Sequence, residues 1–112
     1  MLDDVQEALL RDLLDSARAI QGYLARLNRE AFLADPEKQD AVLRRFEIVG
    51  EVAGRISPQT QALFPQVPFR AMRGMRNIII HDYGEVDLEL VWKTAKNDIP
   101  ALILLLEAKL PA

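Results

Sequence analysis

The chain has 112 residues, half of them hydrophobic, with 14 basic against 17 acidic side chains and no cysteine. That is one domain with enough apolar content for a single core, which excludes disorder, disulfides and thiolate metal sites. A net charge of −3 supplies no general positive field, so any bound phosphate must be held by a local concentration of arginine.

The N-terminus, MLDDVQEALL, is acidic and lacks the basic-then-apolar order of a signal peptide. Residues 2–28 read as one long amphipathic helix. Val5, Leu9, Leu13, Ala17, Ile20, Leu24 and Leu27 form its stripe, and Asp3 and Asp4 suit its N-terminus. Gly22 costs that helix about 1 kcal/mol against alanine and marks a close contact or a bend. Residues 28–35 are read as a short connection. Asp35-Pro36 is a cap followed by a first-turn proline, and opens a second helix running to about residue 56. Val42, Phe46, Val49, Ala53 and Ile56 are its apolar stripe.

On another side of that helix lie Glu47 and Glu51, one turn apart, with Arg44 one turn before Glu47. They are either exposed ion-pairing charges or carboxylates that orient an arginine of the 70–76 stretch. Arg44 and Arg45 make a second, smaller basic cluster. Ser57-Pro58 repeats the cap-then-proline signal for a short helix over 58–64, and the PQVP loop at 65–68 breaks it. A central helix follows over 69–83, with Gly84 as its stop. Asp87 caps the last helix, whose stripe is Val91, Ala95, Ile99, Leu102, Leu106 and Leu110. Pro100 is expected to kink or split it. The apolar run 99–106 is too short to span a bilayer, so a soluble cytoplasmic protein without a membrane segment is expected. No strand pattern, glycine-rich phosphate loop or repeat is present. The expectation is an all-α antiparallel bundle of four main helices and a short fifth, one domain over residues 1–112.

The chemistry gathers at 70–84, RAMRGMRNIIIHDYG, which holds the one histidine of the chain. On a helical wheel with Arg73 at zero, Asn77 falls at about 40°, His81 at about 80°, Arg76 at about 300° and Tyr83 at about 280°. Met72, Met75, Ile78 and Ile79 occupy the opposite arc, and Ile80 intrudes on the polar one. One histidine and no cysteine give no metal-ligand motif, and Ser16 and Ser57 have structural explanations. An imidazole that titrates near neutrality, flanked by guanidiniums, instead suits cleavage of RNA without metal or cofactor. His81 moves a proton, while Arg76 and Arg73 hold the phosphodiester and stabilise its growing charge. Both a proton acceptor and a donor help that reaction, and a homodimer supplies two copies of His81 across a cleft. The alternative is a structural histidine at a helix end and a packing role for Tyr83.

Arg76-Asn77-Ile78-Ile79-Ile80-His81-Asp82-Tyr83 resembles the motif of HepT-like proteins in the HEPN superfamily: arginine, a polar residue, three further positions, histidine, any residue, tyrosine. The resemblance includes QDAVLRRFEIVGEVA at 39–53, PQVPF at 65–69, GMRN at 74–77 and VDLELVWKTAKNDIPAL at 86–102. Phe69 stands where the family often has tryptophan. The resemblance implies a dimerising HEPN-like bundle and a ribonuclease toxin of a type VII toxin–antitoxin pair. It assigns Arg76 and His81 as the catalytic pair, Asn77 as the polar neighbour and Tyr83 as the AMPylation site. The implied partner is an MntA-like minimal nucleotidyltransferase antitoxin that transfers AMP to Tyr83. Arg76 and Tyr83 lie within about 20° of one another on the wheel, so the added charge would sit beside the phosphate-binding arginine. The competing class is a non-catalytic helical subunit that binds a nucleotidyltransferase, favoured by the acidic charge and the lack of an extended basic groove.

Overall fold

The structure, a computed structural model, describes residues 2–79 and 85–111, and for 76–79 the backbone alone. Among the described residues six helices follow one another: α1 (Asp4–Leu24), α2 (Arg29–Leu33), α3 (Pro36–Ala53), α4 (Pro58–Leu63), α5 (Phe69–Ile79) and α6 (Leu88–Glu107). The fold is all-α, as the periodicity predicts, with principal dimensions of 44 × 31 × 20 Å.

Local chemistry sets the helix starts. Carboxylates of Asp3, Asp35 and Asp87, the Asn28 amide and the Ser57 hydroxyl each accept from a backbone N–H three residues on. Proline occupies the first turn of α3 and α4. Asn28 also explains the one element missed in the sequence: the supposed connection contains α2. Its Phe32 is fully buried and its C-terminal carbonyls, Phe32 O and Leu33 O, accept from Gln39 Nε2 at 2.9 and 3.1 Å.

The core is built around α1, which packs against both α3 and α6, while α3 also carries α5. Leu13, Ala17, Ile20 and Leu24 are buried as expected, but Val5 is 68% exposed, and Leu10 and Leu14 join the core instead. A helix held between two neighbours buries a wider arc than one stripe. The expected stripes of α3 and α6 are buried throughout, from Val42 to Ile56 and from Val91 to Leu110. Pro100 does not split α6: Ile99 before it and Leu102 and Ile103 after it are buried, so packing holds both halves in one helix. Gly22 meets no heavy atom within 4 Å at its would-be Cβ, so it marks no close contact.

Candidate functional site

Two buried anchors seat α5. Phe69 and Met72 enter the core at 3% and 4% exposure; Met72 lies on the arc that the wheel assigns to packing, whereas Phe69, at about 320° in the first turn, lies outside it. The crossing with α3 is close because residue 50 is glycine. A Cβ there would lie 3.3 Å from the Met72 carbonyl oxygen and 3.7 Å from that of Arg73. Thus α5 is fixed, backbone against backbone, to the helix that carries Glu47 and Glu51.

Arg73 is exposed and its chain lies across the end of α3, with Cδ and Nε 3.4 Å from where a Cβ on Gly54 would be. No basic residue occupies the last turn of α3, so Arg73 brings positive charge to that C-terminus from the neighbouring helix. Arg70 is exposed too. Glu47 pairs with Arg44 on its own helix at 3.4 Å, and among the described residues Glu51, Arg70 and Arg73 form no ion pair. Neither glutamate is therefore bonded to Arg70 or Arg73. The backbone positions of Arg76 and Asn77 fall in the last turns of α5; Asn77 lies about 40° from Arg73 on the wheel, whereas Arg76, four residues after Met72, lies about 40° from Met72. His81 and Tyr83 lie outside the described residues, as do Ile80, Asp82 and the expected stop at Gly84.

Among the described residues α5 meets α6 only sparsely, leaving an apolar groove of about 440 Å³ between them. Met72 and Met75 form one wall; Leu90, Ile99, Leu102 and Leu105 form the other. Leu104, the next residue round α6, is 68% exposed. The signal for this surface was present in the sequence, since residues 99–106 are apolar on every side of the helix, which a fully covered helix alone would require.

A second concavity, of about 480 Å³, lies between α2 and the first half of α6, where Arg29, Lys93 and Lys96 face Asp87 and Glu89 beside Leu90 and Trp92. Arg29 Nε donates to Glu89 Oε2 at 2.8 Å, and Arg29 Nη2 pairs with Glu89 Oε1. The hydrogen bond that Arg29 donates to Glu89, then the charge of that carboxylate, raises the Arg29 pKa above its ordinary value. Among the described residues no group of three histidine or acidic side chains gathers to hold a metal, and no helix is long and apolar enough to cross a membrane.

The chain matches the family described as "Ribonuclease HepT-like" over residues 13–108. A Thermococcus cleftensis protein named "Probable ribonuclease HepT" is 39% identical over 93 residues, covering 83% of this chain and 84% of that protein. Two Methanocaldococcus jannaschii proteins named "Putative RNase", MJ1380 and MJ1216, are 35% and 33% identical over 96 residues. Each alignment covers 86% of this chain, with 88% and 79% of the relatives' own lengths. No solved structure gives a significant match. With the family pattern running from within α1 to the end of α6, and relatives of this identity aligned over most of their length, the chain belongs to the HepT-like ribonuclease family.

Proposed function

We propose that this chain is a metal-independent endoribonuclease acting as a homodimer in the cytoplasm, and the toxin of a toxin–antitoxin pair. The observation that carries the reading is the Arg76-to-Tyr83 motif, which begins on the last turns of α5 and lies inside the segment matched to a ribonuclease family. In the proposed reaction the His81 imidazole accepts the proton of a ribose 2′-hydroxyl. The 2′-oxygen then attacks the adjacent phosphorus. Arg76 stabilises the charge on the non-bridging oxygens as phosphorus becomes pentacoordinate, with Arg73 and Asn77 steadying the strand. The bond to the 5′-oxygen breaks, and His81 of the partner subunit gives that oxygen a proton. The products are a 2′,3′-cyclic phosphate and a 5′-hydroxyl, and no metal enters the balance.

The requirement for two imidazoles agrees with the exposed apolar surface of α6. The groove between α5 and α6 and the exposed Leu104 beside it form a neighbouring hole and knob, as a two-fold contact needs. Control by an MntA-like nucleotidyltransferase follows from the motif tyrosine: AMP on Tyr83 adds negative charge next to the guanidinium that must receive RNA phosphate. Glu47 and Glu51 remain candidates to orient Arg76.

Digestion of RNA by unmodified protein in excess chelator tests the proposal. Cyclic phosphate ends from wild type, lost with Arg76→Ala and His81→Ala, support it. If wild type leaves RNA intact, the non-catalytic partner-binding subunit becomes the better reading. Intact mass after co-expression with the nucleotidyltransferase, compared with Tyr83→Phe, tests the modification.

A further inference from the structure

We propose that the concavity between α2 and α6 is a contact site for the phosphate backbone of RNA flanking the cleaved linkage, with Lys93 and Lys96 as its cations and Asn97 as a neutral donor. This deepens the ribonuclease reading and rests on it.

The charge distribution in the concavity is uneven. Its two acidic residues are already engaged: Glu89 grips Arg29 through both carboxylate oxygens, and Asp87 accepts from the Leu90 N–H at 3.0 Å as the cap of α6. Lys93 and Lys96 are exposed on the same wall and form no ion pair among the described residues. With Arg29, the lining carries three positive charges against the two negative ones, so one positive charge is left over in a hollow, within a chain whose net charge is −3. A chain of that sign gives an RNA strand no general attraction, so such a surplus is where backbone phosphate would be held.

One of the two cations is also positioned. Lys96 Nζ lies 5.0 Å from the centre of the Trp92 ring, and that ring stacks on Phe32 at 5.6 Å and 29°. Phe32 is fully buried, so the surface that steadies Lys96 is tied to the core. A cation held in place loses less freedom on meeting a phosphate than one on a freely moving stem.

The location is compatible with the rest of the site. On the α6 wheel Lys93 and Lys96 fall at about 300° and 240° from Leu90, whereas Thr94, Ala101 and Leu105 of the apolar groove fall between about 20° and 60°. Leu104 falls on the Lys93 side of the wheel but about 16 Å further along the axis, so a second copy seated on the groove and Leu104 need not cover the lysines. Asp87, at the rim, is six residues from His81, a chain span of at most about 20 Å. A strand cut at His81 needs only a few nucleotides to reach the hollow.

The test is equilibrium binding of a labelled 2′-O-methyl RNA of about 12 nucleotides, which the proposed chemistry cannot cut, measured across a range of salt. For Lys93→Gln/Lys96→Gln the affinity falls about tenfold and the slope of log K against log salt shrinks by about 1.4, two phosphate contacts at about 0.7 each. Lys93→Arg/Lys96→Arg restores both. Lys109→Gln, two residues past the far end of α6, loses the same type of charge without changing the slope. In cleavage assays the glutamine variant loses more kcat/KM on the long RNA than on a dinucleotide.

An unchanged slope, with wild type still cutting RNA, overturns the contact site and leaves the ribonuclease reading standing. Wild type that neither binds nor cuts RNA removes both. A glutamine variant that binds RNA normally but no longer associates with the nucleotidyltransferase overturns the proposal and assigns the patch to the protein partner.

Discussion

Replacing Gly50 by alanine pits two effects of similar size against each other. In an exposed helix interior the change is worth about 1 kcal/mol in favour of alanine. Gly22 measures that gain cleanly, because a Cβ there meets nothing within 4 Å. At Gly50 the new methyl stands 3.3 Å from the Met72 carbonyl oxygen, a backbone atom that cannot rotate away. The α3–α5 crossing must open by a few tenths of an ångström, and overpacking of this kind costs about 1–3 kcal/mol. The net expectation is a loss of about 1 kcal/mol for Gly50→Ala against a gain of about 1 kcal/mol for Gly22→Ala. For a chain of this length each corresponds to about 4 °C in Tm, with opposite signs. Thermal unfolding at one fixed protein concentration reads both, since self-association would otherwise shift Tm. RNA cleavage by Gly50→Ala should fall as well, because the displaced helix carries Arg76. Equal increases in Tm for the two variants would refute the close crossing and the claim that it positions α5.

Leu104→Glu is expected to convert a dimer to a monomer by light scattering and to abolish cleavage while leaving the helical circular dichroism intact; an unchanged dimer would place the interface elsewhere. Phe32→Ala removes a fully buried ring that also stacks on Trp92, and should cost about 3–5 kcal/mol in denaturant unfolding. Asp35→Ala takes away the carboxylate that accepts from Lys38 N at 3.1 Å and should cost about 1 kcal/mol. Gly54→Ala meets only the flexible chain of Arg73 at 3.4 Å and should be tolerated within about 0.5 kcal/mol, unlike Gly50→Ala.

The parts of the fold legible in the sequence were those written in strong local chemistry. Asp35-Pro36, Ser57-Pro58 and Asp87 each set a helix start where it was expected, and the apolar spacing of α3 and α6 named their buried faces. The helix α2 was missed because five residues carry too little periodicity to register, and its cap, Asn28, was absorbed into the end of a longer α1 stripe. Leu10 and Leu14 were missed for a different reason. A spacing rule describes one stripe, whereas α1 lies between two helices. At the site, the wheel anticipated the inward turn of Met72 and the exposure of Arg73. It could not anticipate that Arg73 lies along Gly54, because that contact joins residues far apart in sequence. The same limit hid the concavity at Lys93 and Lys96: WKTAK reads as an ordinary helical turn until α2 is placed beside it.

The placement of α5 has a consequence for how the molecule would work. Its contact with α3 is backbone on backbone at Gly50, and its core residues Phe69 and Met72 are buried within one chain. The side facing α6 is instead an open apolar groove lined by Met75 and Leu105. A helix whose position came from dimerisation alone would leave the lone subunit with a loose motif. Here the single chain already fixes the axis of α5, so in the proposed dimer a second copy would have only to cover the groove and bring its own histidine. Assembly would then control activity by completing the proton-transfer pair rather than by folding the site. A monomeric Leu104→Glu variant should accordingly keep the Tm gap between Gly50→Ala and its own parent, measured in that background. If the gap vanishes in the monomer, α5 takes its position from the partner, and the independence of the two surfaces is wrong.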